Sequence, residues 1–445
     1  MRLDLQRLQI EFLRPGVVSA ADLSRILGVS QPTISRALNQ FGDELLRFGN
    51  RRGATYALTS SIGEQGTNWP LFLIGSDGQP EQIGRLHALR NGGYWLDRAG
   101  SRWDSLTTPE FPGDIFPDVP WFLDDYRPQG FLGRAFAHKH AAELGQMENP
   151  ATWGGRAVIE AMLRFGEDFT GAFALGRESL TTALASHPAS VALADRASRY
   201  SELMASVLRG DLVGSSAGGE QPKFLVDLIG KTVRPLIVKF SPPIAEPIGR
   251  RWADLLMAEH VASETLSANG VIVARSEVVD IDDRRYLEVE RFDRTSNYGR
   301  LPVISLRAVA AALLEGIGHP WTDYARSLRE HGWLTESDAS QLASAWEFGR
   351  LIANTDMHEG NASLIFTSQR PVRLAPIYDM LPMAYRPGSQ GYIPGVQENP
   401  LALAANAPAS RERDLAIEFW NQLASSDRIS AEFAAIASQH ARVLA

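Results

Sequence analysis

Residues 354–361 read "NTDMHEGN", which places two acids, a histidine and two asparagines within eight positions. A solvated turn explains them as ordinary turn formers. A phosphoryl-transfer loop explains them as oxygen donors at fixed spacings. The flanks decide between the two. A helix is predicted before the stretch, with a capping-box start at Thr335 and Asp338 and with Leu342, Ala345, Trp346, Gly349 and Ile352 facing inward. After it, "ASLIFTSQRPVRLAPIYDM" (362–380) reads as a hairpin that delivers Asp379 on its far side.

Three upstream stretches fall in an order that gives this loop its meaning. "GSSAGGEQPKF" (214–224) is small and glycine-rich and leads into an apolar strand, the kind of loop whose backbone N–H groups approach phosphates closely. It is not a Walker A loop, because Glu220 stands where that motif needs lysine. In "RPLIVKFSP" (234–242), Lys239 projects from a strand otherwise made of apolar residues, which calls for an anion nearby; a snorkelling edge lysine is the plainer alternative. The helix "RRWADLLMAEHVASETLSANG" (250–270) turns Leu255, Leu256, Ala258, Ala262 and Leu266 inward and ends at Asn269-Gly270. Glu259 lies beside that face and is the candidate partner of Lys239. The strands that follow end in "YLEVERFDR" (286–294), whose backbone could pair with an adenine edge.

Asn361 follows Asp356 by five residues, and Asp379 follows it by 23. That is the spacing logic of protein-kinase sites. One Asp accepts the substrate hydroxyl proton, an Asn five residues on binds Mg²⁺, and an Asp beyond a hairpin binds the metals bridging the phosphates. The expected fold is therefore α+β, with a bilobed protein-kinase-like body and a helical C-lobe.

Composition is compatible with this. The chain has 445 residues, 44% hydrophobic and 22% charged, so more than one domain is expected. It holds no cysteine, which excludes disulfides and thiolate metal sites and fits a reducing compartment. No apolar run is long enough to span a membrane and no signal peptide is evident, so a cytoplasmic protein is expected. Net charge is −8, yet residues 1–60 carry eight Arg against five acids, so any DNA contact belongs at this end.

Within that end, "SAADLSRILGVSQPTISRALNQF" (19–41) reads as a helix-turn-helix. Ser19 and Ser30 are candidate caps and Pro32 sits in the first turn of the second helix. Leu23, Ile26, Leu27, Ile34 and Leu38 face inward, leaving Gln31, Thr33, Ser35 and Arg36 for base edges. "LLRFGNRRGATYAL" (45–58) then reads as two strands, with Arg51 and Arg52 on a wing tip against phosphates. "SSIGEQGTNWP" is linker-like, and the following stretch alternates apolar runs with Gly turns as a small β-rich unit would. His138 and His140 lie close together, but nothing at metal-ligand spacing joins them.

"NTDMHEGN" resembles the Asn-x-Asp-x-His-x-x-Asn loop of HipA-type bacterial Ser/Thr kinases. "VERFDR" (289–294), "PIYDM" (376–380), "GFLGRAF" (130–136) and "SSAGGEQPK" (215–223) are similar to signatures of the same family, over roughly residues 65–440. The winged-helix start fused to this body resembles its YjjJ (HipH) subgroup of toxins. The resemblance implies Asp356 as catalytic base, Asn361 and Asp379 as Mg²⁺ ligands, Lys239 on the ATP phosphates, and the backbone at Glu290 and Phe292 near adenine. It also implies autophosphorylation of a serine in the Gly-rich loop that includes Gly218 and Gly219. That loop is one residue longer than the family pattern, so Ser215 and Ser216 both qualify. His358 has two readings, orienting the loop or touching the transferring phosphate. Family members usually depend on a separate DNA-binding antitoxin, HipB; here a DNA-binding element is built in. A HipB-like antitoxin, a protein substrate and a second copy of the chain are the expected protein partners. Asn354 stands where aminoglycoside-type phosphotransferases carry histidine, which argues against a small-molecule kinase. A regulator that only senses nucleotide is the non-enzymatic alternative.

The expected division is 1–62 winged helix-turn-helix, 63–150 β-rich subdomain, 151–294 N-lobe with a preceding helical segment, and 295–445 helical C-lobe.

Overall fold

The computed structural model describes residues 4–13, 16–49, 54–98, 100–166, 169–209, 221–314, 316–388, 391–396 and 398–445, a mixed α/β architecture. Its N-terminal unit contains helices Leu5–Ile10, Ala20–Leu27 and Gln31–Leu38. The Ser19 hydroxyl accepts the Asp22 N–H (3.0 Å), and Gly28, at φ +66, ends the second helix in the left-handed conformation glycine tolerates. Leu23, Leu27, Ile34 and Leu38 are buried together, but Ile26 is 47% exposed. The core stripe follows the four-residue step from Leu23 to Leu27 and passes Ile26 by. Ser30 occupies the cap position without a cap bond; its hydroxyl meets that of Thr33 instead. Strands Leu45–Phe48 and Thr55–Leu58 pair antiparallel, with Val18–Ser19 on the other edge. The hairpin tip with Arg51 and Arg52 lies outside the described residues.

The expected linker is packed. Ile62 is fully buried in the main core, the Ser60 N–H donates to Ala88 and the Arg90 N–H to Leu58. Phe48 also meets Trp95 edge-on at 4.8 Å. Polar composition concealed one apolar anchor. The middle sheet has the order Ile115–Phe116, Tyr94–Asp97, Pro80–Ala88, Asn68–Ile74, Phe173–Leu175. Its last strand arrives from beyond residue 150, since strand pairing across a hundred residues leaves no mark on local periodicity.

A second five-stranded sheet runs Ser276–Ile281, Arg284–Glu290, Val233–Phe240, Lys223–Ile229, Ala189–Ala192. Helix Pro247–Ala268 packs beside it, and Leu255, Leu256, Ala258, Ala262 and Leu266 are all buried, as the helical period requires. Full burial of each leucine contributes about 2 kcal/mol. Six helices, Leu306–Leu313, Trp321–Glu330, Glu336–Leu351, Glu398–Ala405, Arg411–Ser425 and Ala431–Leu444, make up most of the C-terminal part. A small sheet, Val303–Ser305, Ser363–Ile365 and Arg373–Leu374, carries the hairpin expected after residue 361. Among the described residues, no helix is long and apolar enough to cross a membrane.

Candidate active site

Lys239 is 6% exposed and would be costly to bury unpaired. Its Nζ donates to both Glu259 carboxylate oxygens (2.7 and 2.9 Å) and to Asp379. Sheet, helix and C-terminal hairpin thus converge on one ammonium. Burial opposes its charge, but Asp379 and Glu259 outweigh burial and raise its pKa. Glu259 is pushed up to about 7, first by burial and then by the nearby Asp379, with Lys239 pulling the other way. Asp379 is drawn down to about 2, because Lys239 and Lys223 overcome its burial. Lys223, the last residue of the glycine-rich stretch, stands directly opposite Lys239 in the strand ladder. Like charges facing each other in a sheet repel; the two acids make this pair tolerable. Lys223 is a site residue beyond those expected from the sequence, and its place at the end of the motif is the signal that marks it.

Asp379 sits at φ +56, an uncommon conformation for a residue with a side chain. Asn354 helps hold it there. The Asn354 carboxamide donates to the Asp379 carbonyl (3.2 Å) and accepts the Asp356 N–H (3.1 Å). One buried side chain therefore ties the Asp356 loop to the Asp379 turn, a role that spacing alone did not reveal. Asn361 donates its Nδ2 to the Asp356 carbonyl (2.7 Å), so the residue five positions on closes the loop. Asp356 itself is half-buried.

His358 is exposed, and its Nδ1 accepts the Gly360 N–H (3.0 Å), so the ring caps its own loop. Glu359 is buried and reaches out of the loop to the Gly318 N–H and the Tyr324 hydroxyl (2.8 Å). Tyr378, next to Asp379, donates to the Gly360 carbonyl (2.9 Å) and meets the Ser363 hydroxyl (2.9 Å). Its ring lies 5.4 Å from that of Phe292.

The Phe292 N–H meets no partner among the described residues, whereas the Glu290 N–H is committed to the Arg275 carbonyl. The rest of "VERFDR" is a structural clamp. Asp293 takes two bonds from Arg291 (3.0 Å each), one from Arg294 (2.6 Å) and the Gly171 N–H (3.0 Å). Burial would raise its pKa, but the two guanidinium groups hold it far below the carboxylate range. The motif thereby fastens the strand end to the segment entering Phe173–Leu175.

Ser215, Ser216, Gly218 and Gly219 lie outside the described residues. Gln31, Ser35 and Arg36 are exposed on their helix and Thr33 is half-buried. Among the described residues, no group of three or more His, Asp or Glu is preassembled for a metal. The donor set still suits Mg²⁺, which takes one or two carboxylates and completes its shell with water and phosphates. With the Asn361 Nδ2 committed to the Asp356 carbonyl, its carboxamide oxygen has no partner among the described residues.

Residues 65–184 match the family model described as "YjjJ-like toxin, middle domain", and residues 215–444 match "HipA-like C-terminal domain". "Toxin YjjJ" of Escherichia coli (strain K12) is 34% identical over 438 residues, covering 96% of this chain and 95% of that protein. "Putative kinase Y4mE" of Sinorhizobium fredii is 27% identical over 179 residues, 38% of this chain and 42% of that one. A solved Shewanella oneidensis HipA, in complex with HipB and operator DNA, overlaps 84% of this chain and 95% of its own, at TM-score 0.49 and 16% identity. With near-complete coverage by a relative above 30% identity and a HipA-like model over half its length, the chain belongs to the HipA family, in its YjjJ-like branch.

Proposed function

We propose that this chain is an ATP- and Mg²⁺-dependent serine/threonine protein kinase of toxin type with its own DNA-binding module. The observation that carries the reading is Lys239 held between Glu259 and Asp379, with Asn354 tying Asp379 to the Asp356 loop. ATP supplies the γ-phosphoryl group, and Mg²⁺ neutralises charge on its phosphates. Asp356 accepts the proton of an acceptor hydroxyl as that oxygen bonds to the γ-phosphorus, the bond from that phosphorus to the β,γ-bridging oxygen breaks, and ADP leaves. Glu259 keeps the Lys239 ammonium in place, so it can trade Asp379 for the α- and β-phosphates. Asp379 and Asn361 would hold the metal, and the Phe292 N–H, without a partner among the described residues, would be available to an adenine edge. Ser215 or Ser216 is the autophosphorylation site, and Gly218 and Gly219 belong to the same phosphate-binding motif.

Transfer from labelled ATP tests this. The wild type is expected to label itself or a protein acceptor, and Asp356→Asn to lose about 10²-fold or more. A folded wild type that transfers nothing, or an Asp356→Asn variant as active as wild type, defeats the proposal. ATP binding without transfer favours a nucleotide-sensing regulator.

The N-terminal unit is read as a winged helix-turn-helix that meets bases with Gln31, Thr33, Ser35 and Arg36 and phosphates with Arg51 and Arg52. Its helix pair and paired strands support that reading. Arg51→Ala is expected to weaken binding to all DNA sequences and lower the salt slope by about 1. An unchanged slope counts against the wing. Co-purification tests for a HipB-like antitoxin and for a second copy of the chain.

A further inference from the structure

Glu359 does something that neither phosphate binding nor proton transfer requires. It is 8% exposed, and a carboxylate so placed is costly unless donors surround it. Its donors come from another part of the chain, one from the turn that precedes helix Trp321–Glu330 and one from that helix itself. The Gly318 N–H and the Tyr324 hydroxyl both point at its Oε1. The same hydroxyl lies 3.0 Å from the Gly316 carbonyl and accepts the His319 N–H (3.1 Å). Tyr324 has one proton, so it is shared between Gly316 and Glu359.

The backbone of this turn is specified as closely as its anchors. Gly316 and Gly318 take φ +105 and +97, where a side chain is strained, and Ile317 between them is 53% exposed. A shaped turn with an apolar apex is thus fastened to the loop that bears Asp356, three residues from the anchoring glutamate.

We propose that the turn 316–319 is the rest on which the acceptor polypeptide lies, with Ile317 contacting an apolar side chain a few residues from the phosphorylated hydroxyl. Glu359 is then a positioning residue: it fixes the turn relative to Asp356 and does not touch the reacting atoms. The inference rests on the protein-kinase reading and names the acceptor class as a polypeptide with an apolar residue near its serine or threonine.

The test uses the full chain, Mg-ATP and a peptide library in which each position flanking a central serine or threonine is fixed in turn as Leu, Asp or Lys. Wild type is expected to favour Leu at one near position by about tenfold over Asp. Ile317→Asp, on an exposed apex, is expected to abolish that preference and favour Lys at the same position, with the ATP KM unchanged. Glu359→Ala is expected to raise the peptide KM about tenfold and flatten the preference. Glu359→Gln, which keeps an accepting oxygen, is expected to restore most of both. A purely structural role for Glu359 would lower kcat and worsen the ATP and peptide KM alike, and that result overturns the proposal. So does peptide transfer with no apolar preference, or with a preference that Ile317→Asp leaves untouched; the kinase reading survives either outcome. Self-labelling without peptide transfer overturns the inference and spares the kinase reading, whereas absence of any transfer, self-labelling included, defeats both.

Discussion

Replacing Asn354 with alanine is the sharpest test of how the site is held. The side chain is 7% exposed and makes two bonds to oxygen or nitrogen partners, one from the Asp356 N–H and one to the Asp379 carbonyl, besides a long contact of its Nδ2 with the Met380 sulfur (3.9 Å). Each such bond is worth about 1 kcal/mol net, and a partner left dry costs about 1–3 kcal/mol. The expected total is about 2–3 kcal/mol. If that energy holds Asp356 and Asp379 in register, it appears as misplacement in the transition state, a fall in kcat of about 30- to 150-fold. The Asp379 turn, at φ +56, also loses a restraint, so half-saturation by Mg²⁺ is expected to rise. Asn354→Asp separates the two bonds, since it still accepts the Asp356 N–H but presents a second acceptor to the Asp379 carbonyl. Its metal dependence is expected to shift as far as in Asn354→Ala, with a smaller loss of kcat at saturating Mg²⁺. The assay is label transfer across a Mg²⁺ titration, with thermal melts of each variant as a control for folding. A folded Asn354→Ala variant with wild-type kcat and wild-type Mg²⁺ dependence would falsify the clamp.

Three further perturbations read other parts of the molecule. Glu259 is raised to about 7, so kcat/KM for ATP is expected to fall as pH drops through 7, when protonation frees Lys239 from it; Glu259→Gln should lack that acid limb. Removing the carboxylate between two buried guanidinium groups by Asp293→Ala is expected to cost about 3–5 kcal/mol, read as a lower denaturant midpoint. His440 is fully buried, stacked on Trp420 at 4.3 Å, and burial lowers its pKa to about 4. Its contribution to stability is intact above the unfolded value near 6.5. It is lost at up to about 1.4 kcal/mol per pH unit as pH falls from there towards 4, where the folded state also takes up the proton. His440→Phe should flatten that part of the melting-temperature profile, and an unchanged profile would assign the acid sensitivity elsewhere.

What the sequence disclosed depended on whether the cause was local. The inward face of helix Pro247–Ala268, the Thr335 cap and the hairpin between Asn361 and Asp379 follow from spacing, and each is present. The Lys239–Glu259 pairing was legible because a lone lysine in an apolar strand needs a counter-charge, and one helix supplied it. Asn354 belongs to the motif, yet its clamp is not legible there, because Asp356 and Asp379 are 2 and 25 residues away and meet it only after folding. Nothing in the sequence pairs Glu359 with its partners, since Gly318 and Tyr324 lie 41 and 35 residues upstream in another element. Ile62 reversed the linker reading because composition averages over a segment, while packing turns on one side chain.

The groups that set the geometry and those that carry charge are divided in a way that suits exchangeable ligands. In the kinase reading, the Lys239–Asp379 contact has to break when phosphates and metal arrive, so it cannot also be what positions Asp379. The positioning falls to neutral groups: the Asn354 and Asn361 carboxamides and the Tyr378 hydroxyl all bond backbone atoms of the two loops. Backbone bonds of this kind keep their strength when the local charge changes by several units, whereas an ion pair would be weakened or reversed. Glu259 is the exception that fits the scheme, because it binds the one cation that stays in place throughout. Loss of a neutral clamp should therefore alter kcat and metal dependence in the same variant, whereas loss of Glu259 should act first on ATP.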